Sequence, residues 1–431
     1  MNTEIETLYH DGIRESYTRI RHKSGMTVCV MPKETAVTYA SLGVLCGAVD
    51  NCFTVNGERM TVPDGTAHFL EHKLFAAGED EADAIARFAE LGANADAYTT
   101  PDMTAYLFSA AENERAALEI LLDFVFHPYF TEENVERERA IIAQEIRMYD
   151  DAPSQRGYYN AVESLYHTHP IRVNVGGTEE SIRDITPDVL YTFYRAFYHP
   201  VNMVLTVAGN LSPDDVLAVC DACIPHDLPP FVTERMFEKE PDTVFRREYS
   251  DTAQMSSPVL YFGVKDTELS SDWTARETHA AAVDILNDIL FCKSSPLYTD
   301  LYDRGLINGK FGFEYELAAT YAYVLITAET DEPQTVAKEI RQHLSERVRL
   351  HDITDEQFER CRRVMYASAV TAFESAEDMM SECLDAAIDG GEMFSALDIM
   401  MAVTKDDLFR VLDRLYTPER YAVSILYPER I

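Results

Sequence analysis

Two histidines four residues apart, His68 and His72, with Glu71 immediately before the second, are the residues of this chain best suited to do chemistry. On a helix, positions i and i+4 share a face, so both imidazoles project to one side. Two nitrogen donors at that spacing suit a tetrahedral Zn²⁺, and Glu71 beside them is a carboxylate able to take a proton from water. The order H-x-x-E-H is the reverse of the H-E-x-x-H arrangement. Asp64 as N-cap and Gly78 as stop would bracket about three helical turns. A plain amphipathic helix would explain the same stretch without metal, with Phe69, Leu70 and Phe75 filling a core.

A catalytic zinc site needs three protein ligands and one open position. The helix expected over residues 133–148 offers Glu138 and Glu145, seven apart and therefore on one face. An internal repeat acts as a control. Residues 131–145 (TEENVERERAIIAQE) align without a gap on residues 354–368 (TDEQFERCRRVMYAS), 223 positions later. Both copies open on a threonine cap followed by acids. In the second copy Glu138 becomes Cys361 and Glu145 becomes Ser368, while the capping and apolar pattern persists. The histidine helix has its counterpart around Asp284, Asn287 and Asp288, in place of His68, Glu71 and His72. One half carries the metal set; the other keeps the scaffold without it.

A second repeated pair shows how these helices are embedded. Residues 186–200 (TPDVLYTFYRAFYHP) echo residues 404–418 (TKDDLFRVLDRLYTP), and each is followed by an apolar strand, 203–208 and 421–426. Similar elements at nearly constant spacing mean one architecture used twice. Strand-like runs at 26–31, 39–47, 259–264 and 321–329 mix with long amphipathic helices. The expected fold class is α+β: two homologous domains, each a largely antiparallel sheet with helices packed on it. Residues 1–225 form the zinc-bearing domain and residues 244–431 the homologous domain lacking the ligands. Residues 226–243, with three prolines and no periodicity, read as the linker.

Composition narrows the partners. The 431 residues carry 37 Lys and Arg against 74 Asp and Glu, a formal net charge of −37, which argues against nucleic acid and anionic membrane as partners, since both need basic surface. No apolar run is long enough for a membrane-spanning helix. The first sixteen residues lack a basic cap followed by an apolar run and carry Glu4, Glu6 and Asp11, so the expected location is the cytoplasm. Eight cysteines are too sparse for a disulfide scaffold. The one CxxC, Cys220 to Cys223, reads as a helix end, and His167 and His169 as surface residues of a loop before Pro170. Met379, Met380, Met400 and Met401 read as core or interface filler.

The motif VPDGTAHFLEHK of residues 62–73 resembles that of the pitrilysin-type, or inverzincin, zinc peptidases, which include insulin-degrading enzyme and the mitochondrial processing peptidases. TAYLFS (104–109), HPYF (127–130), QEIRMYDD (144–151) and FYHPVNM (197–203) are similar to the bacterial single-unit branch called YmfH-like. The likeness spans essentially the whole chain. It implies one Zn²⁺ per chain held by His68, His72 and Glu145, with Glu71 as general base and Glu138 steadying the site. Zinc would acidify its water and polarise the scissile carbonyl. It also implies that a peptide or unfolded polypeptide lies as an added strand along Ala95, Asp96, Ala97, Tyr98 and Thr99.

Two departures stand out against that resemblance. The family places Asn where this chain has Asp96; an ionised Asp only accepts hydrogen bonds, which tilts preference toward cationic peptides. Complete members also carry, in the second half, an Arg followed seven residues later by a Tyr that binds the substrate carbonyl. Here Tyr302 stands in the Arg position, and Phe311 follows Arg304 by seven. The expectation is therefore a zinc endopeptidase, or its catalytic subunit, working inside a clamshell chamber. The missing pair would come from a paralogous partner in a heterodimer, a homodimer being the other arrangement. The alternative is a non-catalytic, maturation or assembly subunit of the same fold.

Overall fold

The computed structural model describes residues 2–75, 83–226 and 228–429, apart from the side chains of 348–350. The expected stop at Gly78 lies outside the described residues. The chain forms two compact units: Met1–Ile146 with Asn174–Met236 and Ala369–Ser395, and Arg147–Val173 with Phe237–Ser368 and Ala396–Ile431.

The first unit is built on a seven-stranded sheet. Its order is Glu4–His10, Glu15–Arg21, Thr27–Pro32, Met203–Gly209, Thr38–Val44, Thr104–Ala110 and Asn94–Thr99. Thr27–Pro32 and Met203–Gly209 run parallel; every other neighbouring pair is antiparallel. The second unit repeats five of these strands in the same order and sense: Glu248–Ala253, Tyr421–Pro428, Val259–Asp266, Ala322–Glu329 and Gly312–Leu317. Again the first two are parallel and the rest antiparallel. The expected α+β class, with largely antiparallel sheets under helices, is what the chain adopts.

Burial follows position in the sheet. Met203–Gly209 lies mid-sheet and is buried along its whole length, as an apolar run between covered faces must be. Asn94–Thr99 is an edge, and its residues alternate between exposed and half-buried.

The repeat and the compact units do not divide the chain identically. The threonine-capped helices Glu132–Asp151 and Asp355–Thr371 are each followed by a helix that belongs to the opposite unit. Pro153–Leu165 packs on Val259–Asp266 and Tyr421–Pro428, whereas Ala376–Ile388 packs on Thr38–Val44 and Met203–Gly209. A glycine in each receiving strand lets the helix approach. A Cβ at Gly43 would lie 2.7 Å from Leu384, and one at Gly263 would lie 3.0 Å from Leu165. The expected division at 225 and 244 thus follows the repeat, while the folded units exchange one segment each.

The stretch 226–243 is more than a tether. Thr233–Arg235 pairs antiparallel with Cys52–Val55, and Arg235 reaches the buried Asp50 at 2.9 Å. Glu240 accepts the backbone N–H groups of His167, Thr168 and His169 and the Lys265 ammonium at 2.6 Å. His169 corrects the surface reading, because it is buried and stacks on Phe237 at 5.2 Å. Its Nδ1 accepts from the Ile171 amide, the bond that forms this turn. Met379 and Met380 are core residues, and Cys220 and Cys223 close the helix Pro213–Cys223.

Candidate metal centre

The histidines lie on the helix Thr66–Leu74, anchored by Phe69 and Leu70, both fully buried and each contributing about 2–3 kcal/mol. Asp64 is not its N-cap. Gly65 takes that position at φ 86°, where a side chain would be strained, and Asp64 Oδ1 instead accepts from Asn51. A Cβ on Gly65 would lie 2.4 Å from the Gly176 carbonyl oxygen, so the turn at 174–177 closes directly onto the helix start. That contact fixes where the first turn begins, and with it the direction of His68.

The structure brings His68, His72 and Glu145 together. One donor atom from each lies within 4.8 Å of the others. Glu145 Oε2 is 3.4 Å from His72 Nε2 and 3.8 Å from His68 Nε2. The two imidazoles meet edge to face, 4.7 Å between centres. Glu145 projects from the helix Glu132–Asp151, which is anchored by the buried Val135, Ile142 and Ile146. Two turns back on that helix, Glu138 accepts from His72 Nδ1 and from Lys73 Nζ, each at 3.3 Å. Glu71 is 8% exposed, and its Oε2 accepts from the Thr99 hydroxyl at 2.6 Å.

The protonation pattern is uneven. Burial, then the neighbouring His72, push His68 down to about 4 despite Glu145, so it is a neutral donor at neutral pH. Burial also disfavours charge on His72, but the hydrogen bond to Glu138 and the carboxylates of Glu71 and Glu145 outweigh it and raise its pKa. Burial lifts Glu71, with Glu145 and Asp96 adding to the rise, and Thr99 and His72 resist it. Burial would lift Glu138 too, yet His72 and Lys73 hold it below the usual carboxylate range.

This arrangement fits a zinc ion. Two imidazole nitrogens and a carboxylate oxygen converge, and each side chain keeps 12–23% exposure. Three ligands and an open side are the requirements of a catalytic rather than a closed structural site.

Comparison with known proteins agrees with that geometry. The profile of insulinase (peptidase family M16) matches residues 56–179, and that of the peptidase M16 inactive domain matches residues 184–365. The zinc protease YmfH of Bacillus subtilis (strain 168) is 34% identical over 431 residues, covering 98% of this chain and 97% of that protein. The chain belongs to peptidase family M16. A solved structure from Alicyclobacillus acidocaldarius, described as M16-like, superposes with a TM-score of 0.90 at 32% identity, covering 100% of this chain and 99% of that one. Pitrilysin shares the fold at a TM-score of 0.75 and 17% identity; 99% of this chain covers 46% of that chain.

The remaining residues fall into place within this M16 chain. Ala95 to Thr99 lie on the outermost strand, with Asp96 and Tyr98 exposed and Ala95, Ala97 and Thr99 half-buried. Tyr302 is 54% exposed, Arg304 is tied to Asp300 and Glu339, and Phe311 is buried against Tyr298. No hydroxyl stands at 311. Two contacts escaped the sequence reading. Strict alternation along 94–99 would have placed Thr99 on the helix-facing side, whereas nothing in the spacing marked Lys73 as a donor to Glu138.

Among the described residues, no helix is long and apolar enough to cross a membrane.

Proposed function

We propose that this chain is a zinc-dependent endopeptidase subunit that hydrolyses peptides or unfolded polypeptide. The convergence of His68, His72 and Glu145 beside the carboxylate of Glu71 carries this reading. His68, His72 and Glu145 would hold one Zn²⁺. When bound, zinc supplies a Lewis acid, acidifying water and polarising a carbonyl oxygen. Glu71 takes the proton of the attacking water and passes it to the leaving amine. Its upward-shifted pKa suits a group that must both accept and return a proton. Glu138 holds the His72 ring through Nδ1, which directs Nε2 toward the metal position.

The peptide would pair with the open edge of Asn94–Thr99. Exposed Asp96, an acceptor only, would favour a cationic residue there. With no Arg–Tyr pair at that spacing, since Tyr302 stands in the Arg position and Phe311 follows Arg304 by seven, the carbonyl contact falls to a paralogous subunit closing a chamber over the site. That this chain covers 46% of the pitrilysin chain supports a working unit of two such chains.

The test is a peptide-library digest by the purified chain, with and without its paralogue, beside Glu71→Gln and with metal content measured throughout. We expect zinc in both forms and turnover only in the wild type. Zinc without turnover under either condition would favour the non-catalytic assembly or maturation reading.

A further inference from the structure

Thr99 closes the edge strand, but its side chain turns away from the exposed row. Asn94, Asp96 and Tyr98 are exposed, whereas Ala95, Ala97 and Thr99 form the half-buried row. Residues i, i+2 and i+4 of a strand share a face, and Thr99 reaches Glu71, so this row faces the histidine helix. Two alanines let the helix approach, and the threonine hydroxyl spans what remains, donating to Oε2 at 2.6 Å. The terminal torsion of a glutamate is broad and two-fold, so a free carboxylate has no unique orientation. One short hydrogen bond to one oxygen removes that freedom.

We propose that Thr99 is a positioning residue: its hydroxyl fixes the Glu71 carboxylate so that Oε1, the oxygen Thr99 does not hold, is the one presented as proton acceptor. Thr99 also belongs to the strand on which a peptide would pair. Engagement of that strand and orientation of the base therefore pass through one side chain. The inference rests on the role of Glu71 as base, proposed above.

Thr99→Val deletes the hydroxyl and keeps the β-branched shape; Thr99→Ser keeps the hydroxyl. The first readout needs neither metal nor substrate: a double-mutant cycle of Thr99→Val and Glu71→Met, by urea unfolding of the metal-free chain. A coupling of about tenfold in the folding constant is expected for a hydrogen bond to a charged group. The second readout is turnover of whichever library peptide the wild type cuts fastest, by the chain with whatever subunit it needs. Thr99→Val should lower kcat at least tenfold and leave KM within twofold, and Thr99→Ser should restore kcat to within threefold. Coupling below twofold would overturn the inference, as would an unchanged kcat in Thr99→Val while the wild type turns over. A wild type that cuts nothing would remove the base role of Glu71 and this inference with it, a failure the wild-type control identifies by itself.

Discussion

Cys361 lies beside the Asp288 carboxylate, which after burial raises its thiol pKa, in the second unit where Glu138 and His72 meet in the first. Both pairs join the threonine-capped helix to the helix that carries the metal motif or its counterpart. The proximity survives although the side chain at each of the two positions has changed. Tyr416, which repeats Tyr198, hydrogen-bonds Asn287, the counterpart of Glu71, whereas the Tyr198 hydroxyl bonds that of Tyr106. The register of Asp284, Asn287 and Asp288 against His68, Glu71 and His72 is therefore a matter of contacts as well as alignment. The helices keep their packing when the donor set is lost.

Metal binding should follow that asymmetry. Purified chain should hold one zinc equivalent, measured by inductively coupled plasma mass spectrometry. His68→Ala, His72→Ala and Glu145→Ala should each fall below about a tenth of an equivalent, because two ligands do not make a tetrahedral site. Cys361→Ser and Asp288→Asn should change nothing. Exhaustive chelation should abolish peptide cleavage, and added zinc should restore it.

Glu138→Ala should injure stability and metal affinity by separate routes. Lys73 is almost wholly buried, and Glu138 is its ion-pair partner at 3.3 Å. Removing one member of a buried pair leaves an uncompensated charge, at a cost of about 3 kcal/mol. Urea unfolding of the metal-free chain reads that loss. His72 also loses the acceptor at Nδ1, and loss of such a partner weakens metal affinity by about 10–100-fold. Competition with a zinc chelator reads the second effect, and Lys73→Met with Glu138→Gln should restore much of the stability alone.

How much of this was legible in the chain depends on distance along it. His68, Glu71 and His72 share one helical turn, so spacing alone placed them together. Glu138 and Glu145 are seven apart on one face, and spacing could not say which would reach the imidazoles. Only the fold separates them, with Glu145 beside both Nε2 atoms and Glu138 on the far nitrogen of His72. Asp64 looked like a cap because its residue type favours caps, but the approach of the turn at 174–177 put Gly65 there. The exchange of Pro153–Leu165 and Ala376–Ile388 between units was illegible, since each is an ordinary amphipathic helix whose partner strands lie far downstream for one and far upstream for the other.

Gly65→Ala should be costly where an equally left-handed glycine is cheap. At Gly65 the new Cβ would meet Gly176 backbone at 2.4 and 2.8 Å, with φ at 86°. Strain and collision together should cost about 3 kcal/mol and shift the first helical turn, lowering zinc affinity. Gly57 has φ 82° with nothing within 4 Å, so Gly57→Ala should cost only about 1 kcal/mol. Urea midpoints of the two variants decide the matter.

Stability should fall in mild acid through His169. Burial, against the attraction of Glu240 and aided by Lys265, holds this imidazole down to about 4. Its Nδ1 accepts the Ile171 amide, so Nε2 carries the proton toward Thr320, and a second proton would break the turn. In the unfolded chain the ring takes a proton near pH 6.5. The unfolded state therefore binds more protons between about pH 6.5 and 4, and stability drops as pH falls through that window. Glu240, held at about 2, stays ionised throughout. The loss from this one residue amounts to about 2 kcal/mol by pH 5. His169→Gln should be less stable than wild type at pH 7.5, where the neutral ring packs on Phe237, yet lose about 2 kcal/mol less between pH 7.5 and 5. Urea unfolding of both proteins at the two pH values measures the difference. Equal losses in variant and wild type would mean that the buried ring accepts its second proton as readily as a solvated one.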